Sequence, residues 1–456
     1  MGTDGATKPK RTRKKPAGDP GHEALSPASF DAVVVGGGPG GATTAYWLAE
    51  AGRKVLVVDK SRFPREKVCG DGLTPRAVRC LEDMGVKTEG AEWARVDGLR
   101  IYGSGLVLDL PWPELDTLPN YALVRTRFDF DSLLLDRARE AGTTVWEGTT
   151  VEAPVTDAAG VVTGVEVSRN GDRVTIEAPV VIASDGASSR FAMALGGRRL
   201  ESRPMGVAMR AYYRSPRSAE KYFESFLELW AGDHLLPGYG WIFPLPDGTV
   251  NVGLGLLSTS PHFQQTDYKR MLESWVAGLP PEWGFSPETR IGKPRGGPLP
   301  MGFNRSLLAR PGFMVVGDAA GVVNPFNGEG IAYAMETGRL AAQAADRALA
   351  AGDPRAVRLY VDLLRDAYEG YFIMGRVFAR LLGKGQTMGL LTKYALPNEV
   401  MMKFAFKILG NLTDPREGDA YDRVINSLAR IAPGLRTAVR GRASLETGPG
   451  AGLVRS

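Results

Sequence analysis

Six residues near the start, Gly36-Gly37-Gly38-Pro39-Gly40-Gly41, constrain this 456-residue chain more than any other stretch. They follow the short β-branched run Phe30 to Gly36 and precede Ala42 to Ala51, whose pattern is helical and which stops at Gly52. Lys54 to Val58 reads as a second buried strand, closing a unit of about 30 residues, the size of a βαβ crossover. In a G-x-G-x-x-G loop so placed, Gly36 permits the tight turn, Gly38 lets the backbone approach a pyrophosphate, and Gly41 allows close helix–strand packing. Pro39, Gly40 and Ala42 lead into a helix whose free N–H groups and positive dipole end face the phosphates. Asp59, 23 residues past Gly36, ends the second strand and is placed for a ribose hydroxyl pair. The spacing predicts a dinucleotide site on a Rossmann-like α/β domain.

Distant elements decide which dinucleotide. Val315-Val316-Gly317-Asp318-Ala319-Ala320-Gly321 is an apolar strand ending in Gly-Asp, followed by Gly328, Gly330 and a helix from Ile331. Asp318 can bond a ribityl hydroxyl, and the Gly330–Ile331 helix start can face the pyrimidine side of a flavin. A third strand-end turn, Ala183-Ser184-Asp185-Gly186, has a similar make. A nicotinamide site needs no such second loop, so FAD is the expected cofactor. Because these strands lie more than 100 residues apart, the FAD-binding domain is expected to be discontinuous, over 30–195 and 296–350. The aromatic, turn-rich stretch 196–295 reads as an inserted, mostly β substrate domain, with part of its sheet from about 95–125. A helical region over 351–435 and a mobile tail over 436–456 complete the expected organisation.

Composition narrows the chemistry. Two cysteines exclude a disulfide scaffold and a Cys-rich metal site, and histidines at 22, 234 and 262 leave little for a catalytic triad or a metal cluster. No metal site is expected. No run of 18 apolar residues exists, so no transmembrane helix is expected. Of the net charge of +5, the first 29 residues hold +3, and they contain no apolar stretch of a secretion signal. That segment reads as a disordered basic tail. No nucleic-acid partner is inferred from it.

The three glycine motifs, in this order, resemble the flavoprotein class of aromatic hydroxylases, halogenases and geranylgeranyl reductases. Arg125-Thr126-Arg127-Phe128-Asp129 is similar to the R-x-x-F-D stretch of that class, which implies that Arg125 lies along the cofactor. Two further features separate the members. One is the loop Phe63-Pro64-Arg65-Glu66-Lys67-Val68-Cys69-Gly70-Asp71-Gly72. The other is Tyr239-Gly240-Trp241-Ile242-Phe243-Pro244, in which Tyr239, Trp241 and Phe243 alternate onto one strand face. Pro244 ends that strand and Asp247-Gly248 turns it into Thr249 to Leu257, so the rings sit on a hairpin. Read without context, such rings are an ordinary core-facing stripe. Both features resemble the PxxCGxG and YxWxFP signatures of the geranylgeranyl reductase family. The resemblance implies cofactor contacts from Cys69, Gly70, Asp71 and Gly72, and an isoprenoid-facing wall of Tyr239, Trp241 and Phe243. Gly238 and Gly240 are expected to leave space around that wall.

The C-terminal third, with Asn411-Leu412-Thr413-Asp414-Pro415, resembles that of the actinobacterial menaquinone-reducing members of the family. Gly375 to Leu382, Met388 to Leu396 and Asn398 to Leu409 read as short apolar helices, the last capped by Asn398 and stopped by Gly410. Residues 370–412 carry six basic side chains and one acidic one, Glu399. That excess points to a patch at the bilayer surface. The expected function is saturation of C=C bonds in a polyprenyl chain, by a peripheral protein on the cytoplasmic side of the membrane. An isolated alkene accepts hydride only with proton donation to its other carbon, so the site needs a flavin face, a dry aromatic slot and an acid. Cys69, Tyr239, Trp241 and Glu329 are the catalytic candidates. Cys80 reads as an inert buried thiol, and an acidic helix cap is the alternative for Glu329. Menaquinone and geranylgeranyl lipids both fit the substrate. A flavin-dependent aromatic hydroxylase and a prenyl-lipid carrier are the rival readings, since a shared fold cannot choose between them. No second G-x-G-x-x-G identifies the electron donor.

Overall fold

The computed structural model describes residues 25–445 apart from 232, 233, 384, 416 and 417. Its centre is a six-stranded sheet in the order Ala309–Arg310, Phe313–Val315, Val180–Ala183, Ala32–Val35, Val55–Asp59, Thr144–Glu147, parallel except for the first pair. These strands are short, β-branched and buried along their length, as strands covered on both faces must be. Helices Pro39–Glu50 and Ile331–Ala351 pack closely together on it, where Gly40 lies against the Ala334 carbonyl and Gly338 against the Gly40 carbonyl and Thr44. Chain segments far apart in sequence thus bring three strand ends to one edge, as the glycine motifs predict.

A seven-stranded sheet forms the second layer, in the order Arg290–Pro300, Met205–Arg214, Thr249–Leu257, Gly238–Pro244, Tyr222–Phe226, Gly98–Gly103, Leu106–Pro111. The last two strands come from the region near 95–125. The strand Arg290–Pro300 carries Pro294, Pro298 and Pro300 and lies at the sheet edge, where a missing N–H is tolerated. It runs through residue 296, so the expected boundary at 295/296 falls inside one strand of the substrate sheet.

Several local expectations change. Ala28–Ser29 pairs in parallel with Asp172–Glu177, so part of the expected tail belongs to a sheet; residues 1–24 lie outside the described residues. Gly375 to Leu382 is the last part of one long helix, Leu359–Leu382. Met388 to Leu396 divides between the helix Gly385–Leu390 and a π turn, Leu391–Ala395. Asn398 does cap Glu399–Gly410, accepting from the Met401 N–H at 3.0 Å, but the left-handed stop is Asn411, φ +52°, not Gly410. The final helix, Ala420–Leu445, extends past 435 into the expected tail, and 446–456 lie outside the described residues.

Candidate active site

The glycine loop is held by the protein's own contacts. Gly36 has φ +101°, and a Cβ there would run into the Ser184 carbonyl of the neighbouring strand end. Asp59 accepts the Gly37 N–H through Oδ2 and the Ser61 N–H through Oδ1, both at 2.8 Å. Its carboxylate therefore braces the loop, and only its remaining lone pairs are left for a ribose. Pro39 opens the helix after Gly38, and no side chain caps it, so the first-turn N–H groups beside Gly38, Gly40 and Gly41 stay open. Gly41 sits against the Gly36 carbonyl, and Ala42 is buried behind it.

Around this loop stand polar atoms short of partners. Asp185 uses Oδ2 to cap Phe191 at 3.1 Å, while its Oδ1 is buried without a partner. The Arg125 guanidinium stacks over Trp93 at 4.7 Å with its Nε buried and unpaired. Asp318 lies beside Gly330, its Oδ1 3.4 Å from where a Cβ on that glycine would sit, and Ile331 is buried just beyond. Unsatisfied buried donors and acceptors are rare in folded proteins. Here they frame a cradle that fits the pyrophosphate and polyol of FAD.

The Cys69–Gly72 loop joins cradle and substrate sheet. Asp71, φ +66° and fully buried, accepts from Tyr212 Oη at 2.6 Å, Asn251 Nδ2 at 2.8 Å and the Arg127 N–H at 3.0 Å. Burial pushes its carboxyl upward, against these three bonds. The side chain expected to contact the cofactor is thus committed to a structural hub, and only its backbone remains for that role. Cys69 sits beside Arg127, itself paired with buried Asp131, which Arg65 also meets at 3.1 Å. Burial raises the Cys69 thiol above its ordinary value, with Arg127 opposing, so the site holds it as a neutral thiol.

Tyr239, Trp241 and Phe243 do line one face of their strand, with successive ring centroids 6.0 and 6.2 Å apart. The wall faces the cradle loop: a Cβ on Gly70 would lie 3.2 Å from Phe243 and 3.4 Å from Trp241 Nε1. Room for it comes from Gly70 and from Gly253, which lies under the Trp241 ring. Gly238 and Gly240 do not supply that room. They project to the opposite face, where the Trp275 ring fills the place of a Gly240 side chain, because alternate residues of a strand cannot share a face.

Asn251, fully buried, ties wall to loop. It accepts from Trp241 Nε1 at 3.0 Å and donates to the Cys69 carbonyl and the Asp71 carboxylate, each at 2.8 Å.

Glu329 completes the site. Thr74 Oγ1 donates to its Oε1, while Oε2 is buried without a partner. Burial pushes its pKa up to about 7, with Thr74 and Arg76 pulling the other way. It does not cap its own helix, whose N-cap is Gly330 with no side-chain bond. Tyr239 donates to the Asn327 carbonyl at 2.7 Å, which puts its ring within electrostatic reach of both Glu329 and Cys69. Cys80 is half-buried, its thiol raised by burial. Thr74, Tyr212, Arg127 and Asn251 escape sequence reasoning. Thr74 alone had a local signal, lying two residues beyond the C-G-D-G run before a helix-opening Pro75.

A parallel sheet with three converging glycine motifs, beside a second sheet that carries an aromatic wall, defines an FAD-dependent flavoprotein oxidoreductase. A family profile described as an FAD binding domain matches residues 29–231. The menaquinone reductase of Mycolicibacterium smegmatis is 37% identical over 86% of this chain and 94% of its own. A digeranylgeranylglycerophospholipid reductase of Methanoculleus marisnigri is 32% identical over 71% of this chain and 78% of its own. Among solved structures, a geranylgeranyl bacteriochlorophyll reductase-like protein of Thermoplasma acidophilum aligns with TM-score 0.70 and 24% identity, over 84% of this chain and 96% of that one. A flavin-dependent brominase shares the fold with TM-score 0.67 at 18% identity, over 90% of this chain and 99% of that one. The chain belongs to the geranylgeranyl reductase family of flavoproteins, together with the menaquinone reductases.

Proposed function

We propose that this flavoprotein saturates one or more C=C bonds in the isoprenoid side chain of menaquinone. FAD, bound in the cradle and reduced, supplies the hydride. Gly36, Gly38, Gly40, Gly41, Asp59, Asp185, Arg125, Asp318 and the Gly330–Ile331 step hold the cofactor. Tyr239, Trp241 and Phe243 form the dry wall along which the prenyl chain lies, and their ring faces stabilise positive charge developing on the alkene. Glu329, about half protonated at pH 7, delivers its proton to the second alkene carbon. Cys69 and the backbone of Gly70, Asp71 and Gly72 fix the flavin side of the slot. The observation that carries this reading is the buried, unpartnered Glu329 oxygen beside the aromatic wall, whose Tyr239 bonds the Asn327 carbonyl two residues away; burial pushes that carboxyl up.

Such an acid suits an alkene, which lacks the carbonyl that would otherwise absorb hydride charge. The protein works as a peripheral protein at the cytoplasmic face of the membrane, where its lipid substrate resides. No helix among the described residues is long and apolar enough to cross a membrane, which is compatible with that position. Mass spectrometry of quinones from cells with and without the gene tests the proposal. Loss of the species heavier by two mass units per saturated isoprene supports it; unchanged quinones refute it.

A further inference from the structure

The helix Glu399–Gly410 has two faces with different fates. Its inner residues Met402 and Phe406 are buried in a cluster with Leu396, Leu412 and Trp112. From there aromatic rings run without a break to the wall: Phe406 to Trp112 at 5.2 Å, Trp112 to Phe223 at 6.0 Å, and Phe223 to Phe243 at 4.3 Å. Its outer residues Val400 and Met401 are 62% and 48% exposed, and the preceding turn adds Tyr394 at 61% and Leu390 at 56%. Four large apolar side chains within 12 positions are thus exposed to water. Lys393 and Lys403 in the same segment and Arg380 near the end of the preceding long helix are exposed cations, with Lys403 paired to Glu399.

The attachment of this helix is equally uneven. At its C-terminal end Lys407 pairs with Asp419 and Asp422, both at 2.8 Å, Tyr371 Oη donates to the Ile408 carbonyl at 2.7 Å, and Arg76 reaches the Asn411 carbonyl at 3.1 Å. Its N-terminal half, among the described residues, makes polar contacts only within its own segment, the Asn398 cap and the Glu399–Lys403 pair. Among the described residues, one end is tied to other elements by polar contacts, and the other packs on them through apolar side chains.

We propose that the outer face of Glu399–Gly410 docks on an anionic bilayer and that the polyprenyl chain enters beneath its inner face. This deepens the functional reading above and rests on it. Exposed aliphatic and aromatic side chains accompanied by cations match the chemistry of a membrane interface, with apolar groups at the acyl boundary and Lys or Arg at anionic headgroups. The N-terminal half lies on the membrane side, and lifting it moves Met402 off the cluster of Leu396, Leu412 and Trp112, the near end of the apolar contacts that lead through Phe223 to Phe243. A prenyl chain then passes from acyl tails to aromatic rings without crossing water.

The test uses the full-length holoenzyme, reduced with dithionite under anaerobic conditions. Flotation compares vesicles of phosphatidylglycerol and phosphatidylethanolamine with vesicles of phosphatidylcholine alone. Turnover compares long-chain menaquinone embedded in the anionic vesicles with a short-tailed menaquinone in detergent. V400D/M401D is expected to lower the vesicle-bound fraction about tenfold or more and vesicle turnover with it. Detergent turnover should stay within about twofold, with FAD retained. K393E/K403E should give the same split with a steeper loss in the anionic vesicles, which separates headgroup attraction from any change in packing. Unchanged flotation in both variants overturns the proposal. So does a V400D/M401D effect on oligomeric state with vesicle binding intact, since the face would then bind a second copy. Failure of the parent protein to reduce either quinone refutes the functional reading instead, while flotation still reports on docking.

Discussion

Replacing Glu329 by Gln gives the sharpest test of the site. A carboxyl raised from an ordinary 4.5 to about 7 is disfavoured as an anion by about 3 kcal/mol. The folded protein holds this proton more tightly than the unfolded chain. Its contribution to stability is therefore fully present below about pH 4.5 and is lost as pH rises through about 7. Glutamine does not titrate, so the variant's denaturant midpoint should lose that part of the pH slope. Catalysis should follow the same group, falling about tenfold per pH unit above 7 in the parent. Product formation in the Gln variant should drop on the order of 10²- to 10³-fold, with flavin absorbance unchanged.

Thr74→Val supplies a signed control. Thr74 stabilises the ionised carboxylate, so its removal should move the upper limb of the rate profile to higher pH. Anaerobic turnover from pH 5 to 9 with dithionite as reductant reads both effects. A Gln variant that keeps the parent's rate and pH profile would refute the assignment of Glu329 as the acid.

Other outcomes follow from the same geometry. Asn251→Ala removes one acceptor and two donors from buried partners and should cost about 2–4 kcal/mol in urea unfolding. If that variant still folds, its KM for the prenyl substrate should rise as the wall loosens from the Cys69–Gly72 loop; unchanged KM and stability would dismiss the clamp. Trp241→Ala and Cys69→Ser should each keep FAD and strongly lower product, and full turnover in both would remove them from the site. Asp59→Ala releases the Gly37 and Ser61 amides and should weaken FAD retention about tenfold or more on gel filtration.

The cofactor domain was legible because its signals are local. Gly36 and Gly41 are dictated by backbone approach, Asp59 by its place at a strand end, and the Asn398 cap by its own helix. The hairpin and the one-sided wall of Tyr239, Trp241 and Phe243 were legible for the same reason, since strand periodicity and an Asp-Gly turn are properties of neighbours. Local signals also explain the errors. Gly238 and Gly240 looked like space for a substrate, and the ring that fills that space, Trp275, comes from a helix over 30 residues away.

The chain's own order of residues thus determined the FAD fold, the aromatic wall and the family. Only the folded state decided that Asp71 is a buried hub and that Asn251 joins wall to loop. It also decided that Glu329, 255 residues from Thr74, holds its proton near neutrality. Burial and long-range hydrogen bonds set those properties, and neither is a function of any stretch of sequence read alone.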